Sequence, residues 1–231
     1  QANERVTQLS VSPNGRTLLF ATTVGAQAAK QTNVPNYVTL SGYTEDLVVR
    51  TKVGDVLGGG RLGVMQLPAG TVSWLRPIPG DSTAIPSILA LMGWNDPGTQ
   101  ALVFAEQRDF KARYLQRFDA DSSRLATLDV LRDSAWVGGP CYPCGGWLPG
   151  GARAWFVSEA DGYAHLYTIN ADGSDRRQLT KGTFEVLDAE LSDDRTAFQL
   201  RGFATQVEQG AAFTSTDDPA VPGAPPGGTR T

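Results

Sequence analysis

Residues 166–179 read Leu166-Tyr167-Thr168-Ile169-Asn170-Ala171-Asp172-Gly173-Ser174-Asp175-Arg176-Arg177-Gln178-Leu179. Two β-prone runs, Leu166–Ile169 and Arg176–Leu179, flank the polar turn Ala171–Ser174. The Asp-Gly pair within that turn supplies the positive φ angles that a tight hairpin needs. The stretch therefore predicts two antiparallel strands joined by a short turn.

A second pattern, a polar turn followed by a β-prone run, recurs along the chain. Its copies begin at Val11, Trp94, Trp147 and Leu191, so that successive copies are 83, 53 and 44 residues apart. The last two intervals suit the roughly 40–50 residues of a propeller blade. Each turn motif precedes a hairpin, which gives a small antiparallel sheet, and such sheets stack radially in a β-propeller.

The repeats predict an all-β chain whose residues 1–210 form a β-propeller segment of about three and a half four-stranded antiparallel blades. The blades are expected near 8–77, 85–132, 142–182 and 185–210. An insertion at 24–60, with short strands at Tyr37–Leu40 and Leu47–Arg50, explains the long first interval. The remaining residues, 211–231, predict a flexible low-complexity tail because they cannot bury enough apolar surface to offset their ordering entropy.

Residues 102–118 allow two interpretations. Val103, Phe110, Tyr114 and Phe118 recur at helical intervals, whereas their apolar runs also suit two strands around a polar turn at 108–111. The position of the segment after a turn motif favours strands.

Composition and charge exclude several kinds of partner. The net charge is −4 and the basic residues are scattered, so we expect no nucleic-acid partner. No apolar run reaches 18 residues, so we expect no membrane span. The opening Gln1-Ala2-Asn3 is compatible with the position after a cleaved signal peptide, and we favour a periplasmic or secreted location over a cytoplasmic one.

The motif search predicts no catalytic residue, cofactor or metal in the chain. There is no G-x-S-x-G nucleophile elbow, phosphate-binding loop or H-E-x-x-H motif, and His165 is the sole histidine. We expect His165 to stabilise its blade. Four tryptophans are expected to pack between blades: Trp94, Trp136, Trp147 and Trp155.

The C-x-x-C pair Cys141 and Cys144 leaves three interpretations open. Such pairs occur in redox proteins and in half of many zinc sites. A zinc site needs two further ligands, and a redox pair usually lies at a helix N-terminus. The surrounding glycines and prolines instead indicate a loop between blades, so a structural role is favoured.

The order of the motifs resembles a known family. Residues 158–167 and 178–186 resemble the N-terminal propeller of dipeptidyl peptidase IV, which belongs to the serine peptidases of the prolyl oligopeptidase family. There the pattern is Ser-x-x-x-Gly-Tyr-x-His, a hairpin, and Thr-x-Gly-x-Trp/Phe-Glu-Val. Further segments that match the family lie earlier in the chain, in the family's order, at residues 50–64, 106–121 and 135–138.

The resemblance implies a noncatalytic propeller that caps and gates the active site of an α/β-hydrolase domain of the same parent chain. That domain would carry the Ser-Asp-His triad, and the substrate would be a short peptide. The family's Glu-Glu pair, which holds the substrate amino terminus, is expected before Gln1. The adjacent acids Glu45 and Asp46 do not match its position and remain the only substrate-binding candidates within the chain.

Two further expectations concern partners. The alternative function is that of a TolB-type propeller that binds proteins as a scaffold, and a full reading frame with G-x-S-x-G, Asp and His would exclude it. In addition, three and a half blades do not close a ring. Unpaired strand edges and apolar blade faces favour association, so the chain alone is expected either to pair with another copy as a homo-oligomer or to be only marginally stable.

Overall fold

The computed structural model describes residues 4–25, 30–52, 55 and 58–204, so the predicted tail lies outside the described residues. Within this part every regular element is a strand, and it contains no helix that is long and apolar enough to cross a membrane. In chain order the strands are β1 (Glu4–Val11), β2 (Thr17–Val24), β3 (Gln31–Asn36), β4 (Glu45–Thr51), β5 (Gly59–Gln66), β6 (Thr71–Leu75), β7 (Ile88–Trp94), β8 (Gln100–Glu106), β9 (Ala112–Asp119), β10 (Arg124–Arg132), β11 (Gly145–Trp147), β12 (Arg153–Ser158), β13 (His165–Asn170), β14 (Arg177–Gln178), β15 (Phe184–Leu191) and β16 (Phe198–Ala204).

The strands form three four-stranded antiparallel sheets and one two-stranded sheet of the propeller type. Blade 1 has the order β1-β2-β5-β6, blade 2 the order β7-β8-β9-β10 and blade 3 the order β11-β12-β13-β14. The pair β15-β16 is half of a fourth blade. The prediction of an all-β propeller segment of about three and a half blades is confirmed.

The ambiguous segment 102–118 consists of strands. Strands β8 and β9 pair throughout, from Gln100 opposite Asp119 to Glu106 opposite Arg113. At the turn between them, the Gln107 amide donates to the Ala112 carbonyl at 2.8 Å. The helical spacing of the aromatic residues is therefore coincidental, and the strand interpretation is correct.

The insertion in blade 1 contains a separate hairpin, β3-β4, whose first strand was not predicted. Strand β3 lies at Gln31–Asn36, so the predicted strand at Tyr37–Leu40 is wrong, whereas the one at Leu47–Arg50 falls within β4. After β3 the chain turns, because the Asn36 side chain accepts a hydrogen bond from the Val38 amide at 3.2 Å. Strand β3 contains Pro35 and mostly exposed polar residues, so its sequence has no apolar alternation that would predict a strand.

Apolar clusters between neighbouring blades form the core. Leu19 and Leu62 of blade 1 pack with Val103 and Phe118 of blade 2. The cluster between blades 2 and 3 contains Leu102, Leu115, Leu128, Trp147, Ala154, Phe156, Tyr167 and Ile169. The cluster between blade 3 and β15-β16 contains Cys141, Leu148, Trp155, Val157, Ala164, Leu166, Leu179, Val186 and Ala189.

Three of the four tryptophans pack between blades as predicted, and Trp136 does not. The Trp94 indole donates to the Ser10 carbonyl of blade 1 at 3.3 Å, while Trp147 and Trp155 lie in the clusters on either side of blade 3. Trp136, in the connection between β10 and β11, is 69% exposed. Its backbone is held by the Asp133 carboxylate, which fixes the turn without burying the indole.

The recurring turn motif also joins successive blades. The Asn14 amide group of blade 1 donates to the Gly98 carbonyl of blade 2 at 3.1 Å. Asp96 of blade 2 accepts from the Gly150 amide of blade 3 at 2.7 Å and from the Arg195 guanidinium of the fourth blade at 2.6 Å. These two contacts hold the pKa of Asp96 below its ordinary value. Equivalent turns thus form a chain of contacts along one side of the propeller.

Two adjacent glycines in the turn before β12, Gly150 and Gly151, allow the contact between blade 2 and blade 3 to be tested. A methyl group on Gly151 would lie 2.6 Å from the Asn95 Cβ of blade 2, whereas one on Gly150 meets nothing within 4 Å. Both residues have positive φ, so alanine costs about 1–2 kcal/mol of backbone strain at either position. We expect Gly151→Ala to lower the free energy of unfolding by about 1–3 kcal/mol more than Gly150→Ala, because the blades must separate. Equal losses in urea denaturation would contradict the interblade contact.

The two end faces differ in polarity. Blade 1 has exposed apolar side chains on the face that points away from blade 2: Val6, Leu9, Val11, Val72 and Trp74. The corresponding face of β15-β16, which points away from blade 3, carries Glu190, Gln199 and Arg201, whereas the Asp188 carboxylate lies within 4.8 Å of the Cys141 and Cys144 sulfur atoms of blade 3. The apolar exposure expected at both ends therefore occurs at blade 1, while the other end is polar.

Candidate functional site

Buried polar side chains and a small cavity lie between blades 2 and 3. The cavity has a volume of about 20 Å³, which is room for a single water molecule. Its walls are formed by Met92, Phe104, Arg113, Leu115, Asp129, Cys141, Cys144, Phe156, Val157 and Ser158. Ligand pockets are usually at least ten times larger, so a peptide substrate does not fit here.

Arg113 provides the positive charge of this region. It lies on β9, is 6% exposed, and its guanidinium donates to the Gly138 carbonyl at 2.7 Å and the Val157 carbonyl at 3.4 Å. Burial lowers the pKa of Arg113, and the nearby Glu159 carboxylate opposes this shift. Glu159 also accepts from the Gly138 amide at 3.3 Å. Arg113 therefore ties the connection after β10 to blade 3.

Asp129 on β10 provides a negative charge in the same cavity. Its carboxylate lies 2.8 Å from the Arg176 guanidinium, which also lies 4.1 Å from the Tyr167 ring centre. Burial raises the pKa of Asp129 above its ordinary value despite Arg176. Burial, reinforced by the Asp161 carboxylate, also raises the pKa of Tyr167 to about 12.

The raised pKa of Asp129 predicts a pH-dependent stability. A carboxyl group whose pKa is higher in the folded than in the unfolded protein favours folding below the unfolded pKa and loses that contribution as pH rises through the folded pKa. Asparagine resembles the protonated acid, so we expect Asp129→Asn to be more stable than wild type at pH 7. The difference should shrink between pH 7 and pH 3.5 in thermal unfolding. A variant that is less stable than wild type at pH 7 would show that the Arg176 contact outweighs the desolvation of Asp129.

Cys141 and Cys144 form a disulfide with their Cα atoms 5.4 Å apart. The bridge lies in the loop before β11, and Cys141 is buried among Leu148 and Trp155. The Cys144 carbonyl accepts from the Val157 amide at 3.2 Å. A carboxylate oxygen of Asp188 and the two sulfur atoms all lie within 4.8 Å of one another.

His165 is a buried residue of blade 3. One ring nitrogen lies 3.1 Å from the Thr180 hydroxyl and the other 3.1 Å from the Gly182 carbonyl. The ring is fully buried and packs edge-on against Phe184 at 4.9 Å. These contacts agree with the structural role expected for His165, because substrate cannot reach either nitrogen.

Glu45 and Asp46 lie at the start of β4 on the projecting hairpin. Both are exposed, and Glu45 accepts a hydrogen bond from the Ser41 hydroxyl at 3.1 Å. Side chains of consecutive strand residues point to opposite faces, so this hairpin does not converge the two carboxylates on one amino group. Their role in substrate binding stays a prediction.

Sequence reasoning missed the grouping of Arg113, Asp129 and Ser158 around the cavity and the approach of Asp188 to the two cysteines. A charged residue within a β-prone run usually indicates a solvent-exposed position, and nothing local marks Arg113 or Asp129 as buried. Asp188 lies 44 positions after Cys144, on a different blade, so its approach to the cysteines depends on the stacking of blades. Only the C-x-x-C spacing gave a signal.

Comparison with known proteins agrees with the propeller architecture. A family model of the dipeptidyl peptidase IV (DPP IV) N-terminal region matches residues 4–199. No curated protein matches the sequence.

Among solved structures, a protein assigned as a dipeptidyl aminopeptidase IV from Bacteroides ovatus ATCC 8483 is similar, with a TM-score of 0.62 and 15% identity over 87% of this chain and 32% of that chain. Porphyromonas gingivalis dipeptidyl peptidase 4 gives a TM-score of 0.60 and 19% identity over 79% of this chain and 25% of that one. The chain thus spans about a third of the first protein and a quarter of the second. At such low sequence identities the similarity concerns the fold. The family match extends over most of the sequence, from Glu4 to Gln199, and the chain therefore belongs to the dipeptidyl peptidase IV N-terminal region family.

Proposed function

We propose that this chain is the noncatalytic propeller portion of a dipeptidyl peptidase IV-like serine peptidase. It works with an α/β-hydrolase domain of the same parent protein, which carries the triad and cleaves short peptides. The observation that carries the proposal is the family match over residues 4–199. The burial of His165, the sole histidine, supports a noncatalytic role because the ring is not available as a general base.

The arrangement of the strands supports a gating role. Strand β7, the first of blade 2, contacts the first strands of blades 1 and 3. The first strands of successive blades are thus neighbours on one side, the side that surrounds the central passage of a propeller. Contacts between the turns, such as that of Asp96 with Gly150, hold the blades together. A central passage that is surrounded by firmly joined blades admits short peptides and excludes folded proteins.

The test is a comparison of substrates by size with the protein of the full reading frame. We expect it to release dipeptides from a chromogenic peptide and to leave a folded protein intact. Asp96→Ala, which removes contacts between three blades, should raise cleavage of an unfolded protein relative to the short peptide by several-fold. Asp193→Ala, in an exposed part of a comparable turn, is the matched control and should leave that ratio unchanged.

Two outcomes would contradict the proposal. A full-length protein with no peptidase activity would exclude the peptidase assignment. A ratio that is insensitive to Asp96→Ala, in a variant whose interblade contact is shown to be lost, would exclude gating by the propeller.

A further inference from the structure

Two sulfur atoms and one carboxylate converge where blade 3 meets the fourth blade. Cys141 and Cys144 come from the loop before β11 and Asp188 from β15, and their ligand atoms lie within 4.8 Å of one another. We propose that reduction of the disulfide converts this group into a binding site for a divalent cation of the zinc class. The inference rests on these three residues and is independent of the proposed peptidase function.

The ligand types and distances suit zinc. Zinc takes thiolate and carboxylate ligands, and C-x-x-C supplies two thiolates in many of its sites. Sites with three protein ligands keep a fourth position for water. With zinc–sulfur bonds of about 2.3 Å, tetrahedral geometry places ligand atoms about 3.8 Å apart. The Asp188 carboxylate lies within 4.8 Å of both sulfur atoms, at most about 1 Å beyond this spacing, and the two bonded sulfur atoms move apart when the disulfide is reduced.

The surrounding charges are compatible with such an ion. Two thiolates and one carboxylate around a dication leave a net charge of about −1. The Arg201 guanidinium donates to the Asp188 carboxylate at 3.3 Å, so it both offsets this charge and orients the ligand. Hydrogen bonds of this kind to a ligating carboxylate commonly strengthen metal sites.

Two further features of this position fit a binding site. Strand β15 has a bulge between Val186 and Asp188, and bulges often re-aim side chains next to functional sites. The Ser158 hydroxyl, which is buried in the cavity wall that it shares with both cysteines, has no hydrogen-bond partner among the residues that the structure describes. Both cysteines line this cavity and Asp188 does not, so only a metal-bound water on the cavity side of the cysteines would have this hydroxyl as a partner.

The redox step determines when the site exists. A dithiol reductant transfers two electrons and two protons to the Cys141–Cys144 bond, which breaks to give two thiols, while the reductant becomes a disulfide. The cation then displaces both thiol protons and binds the two thiolates and Asp188. Binding is consequently confined to the reduced protein and strengthens as pH rises.

The experiment uses Co²⁺ as a spectroscopic probe for zinc. The chain is reduced with dithiothreitol, separated from it by gel filtration under argon, checked for two free thiols and for retained β-structure by circular dichroism, and titrated with Co²⁺. We expect thiolate-to-cobalt absorption that saturates at one equivalent and disappears on addition of Zn²⁺. The oxidised chain should show none.

Two substitutions distinguish Co²⁺ binding by all three ligands from binding by the two thiolates alone. Asp188→Asn should weaken Co²⁺ binding at least tenfold, whereas Glu190→Gln, an exposed carboxylate on the same strand, should not change it. The oxidised wild type serves as a second comparison that needs no substitution. Absence of absorption in the folded, reduced chain would overturn the proposal, as would equal affinities of wild type and Asp188→Asn.

Discussion

Phe118→Ala is expected to lower the free energy of unfolding by about 3–5 kcal/mol, as large-to-small substitutions of core aromatic residues do. Phe118 is fully buried on β9 and belongs to the cluster that joins blade 2 to Leu19 and Leu62 of blade 1. Its ring also meets Trp94 edge-on at 6.0 Å. Truncation leaves a cavity between two rigid sheets, which cannot close without moving a whole blade. Chemical denaturation monitored by circular dichroism measures the loss.

Trp136→Ala is the matched control for this loss. It removes a larger aromatic side chain, but one that is 69% exposed, so we expect a change within about 0.5 kcal/mol. Similar losses in the two variants would show that contacts between blades are not the main source of stability.

Arg113→Met is expected to destabilise the protein by about 3–5 kcal/mol, the range seen when one partner of a buried charged group is removed. Methionine retains much of the volume but none of the donors. The Gly138 and Val157 carbonyls lose their hydrogen bonds, and the nearby Glu106, which is 1% exposed, loses a compensating positive charge. Denaturation in urea at pH 7 measures this effect.

A control variant and the pH dependence of stability distinguish the loss of the Arg113 charge and hydrogen bonds from a simple packing defect. Lys111→Met changes an exposed residue next to the same strand and should alter stability by less than about 0.5 kcal/mol. Burial already raises the pKa of Asp129 and the Arg113 charge opposes that shift, so without Arg113 the pKa of Asp129 should rise further in the folded state. The deficit of Arg113→Met should therefore shrink as pH falls towards 4. A deficit that does not depend on pH would exclude the electrostatic explanation.

The blades could be predicted from the sequence because their signals are local. The Asp172-Gly173 turn between short β-prone runs is a hairpin signal that lies within a few residues of sequence, and Gly173 has the positive φ of 87° that such a turn requires. The repeated turn motif gave the positions of further blades for the same reason. By contrast, β3 contains Pro35 and mostly exposed side chains, so hydrophobic alternation does not mark it.

The polar groups between the blades could not be predicted, because their burial depends on residues far along the chain. Asp129 and Arg176 form an ion pair across 47 positions, and neither lies in a motif. Trp136 shows the reverse error, since a large aromatic residue in an interblade connection stays exposed when the turn is held by Asp133. Local patterns thus predicted strands, whereas the neighbours of each side chain required the stacked structure.

Covalent labelling with a fluorophosphonate, which reacts with the activated serine of serine hydrolases, is the most direct test that this propeller serves an active site located elsewhere. The protein of the full reading frame and the 231-residue chain would be treated in parallel, and the modified serine identified by peptide mass spectrometry. We predict that the full-length protein is labelled on one serine outside residues 1–231, and that the chain alone is not labelled. A labelled serine within residues 1–231, or a folded full-length protein that does not react, would contradict this function.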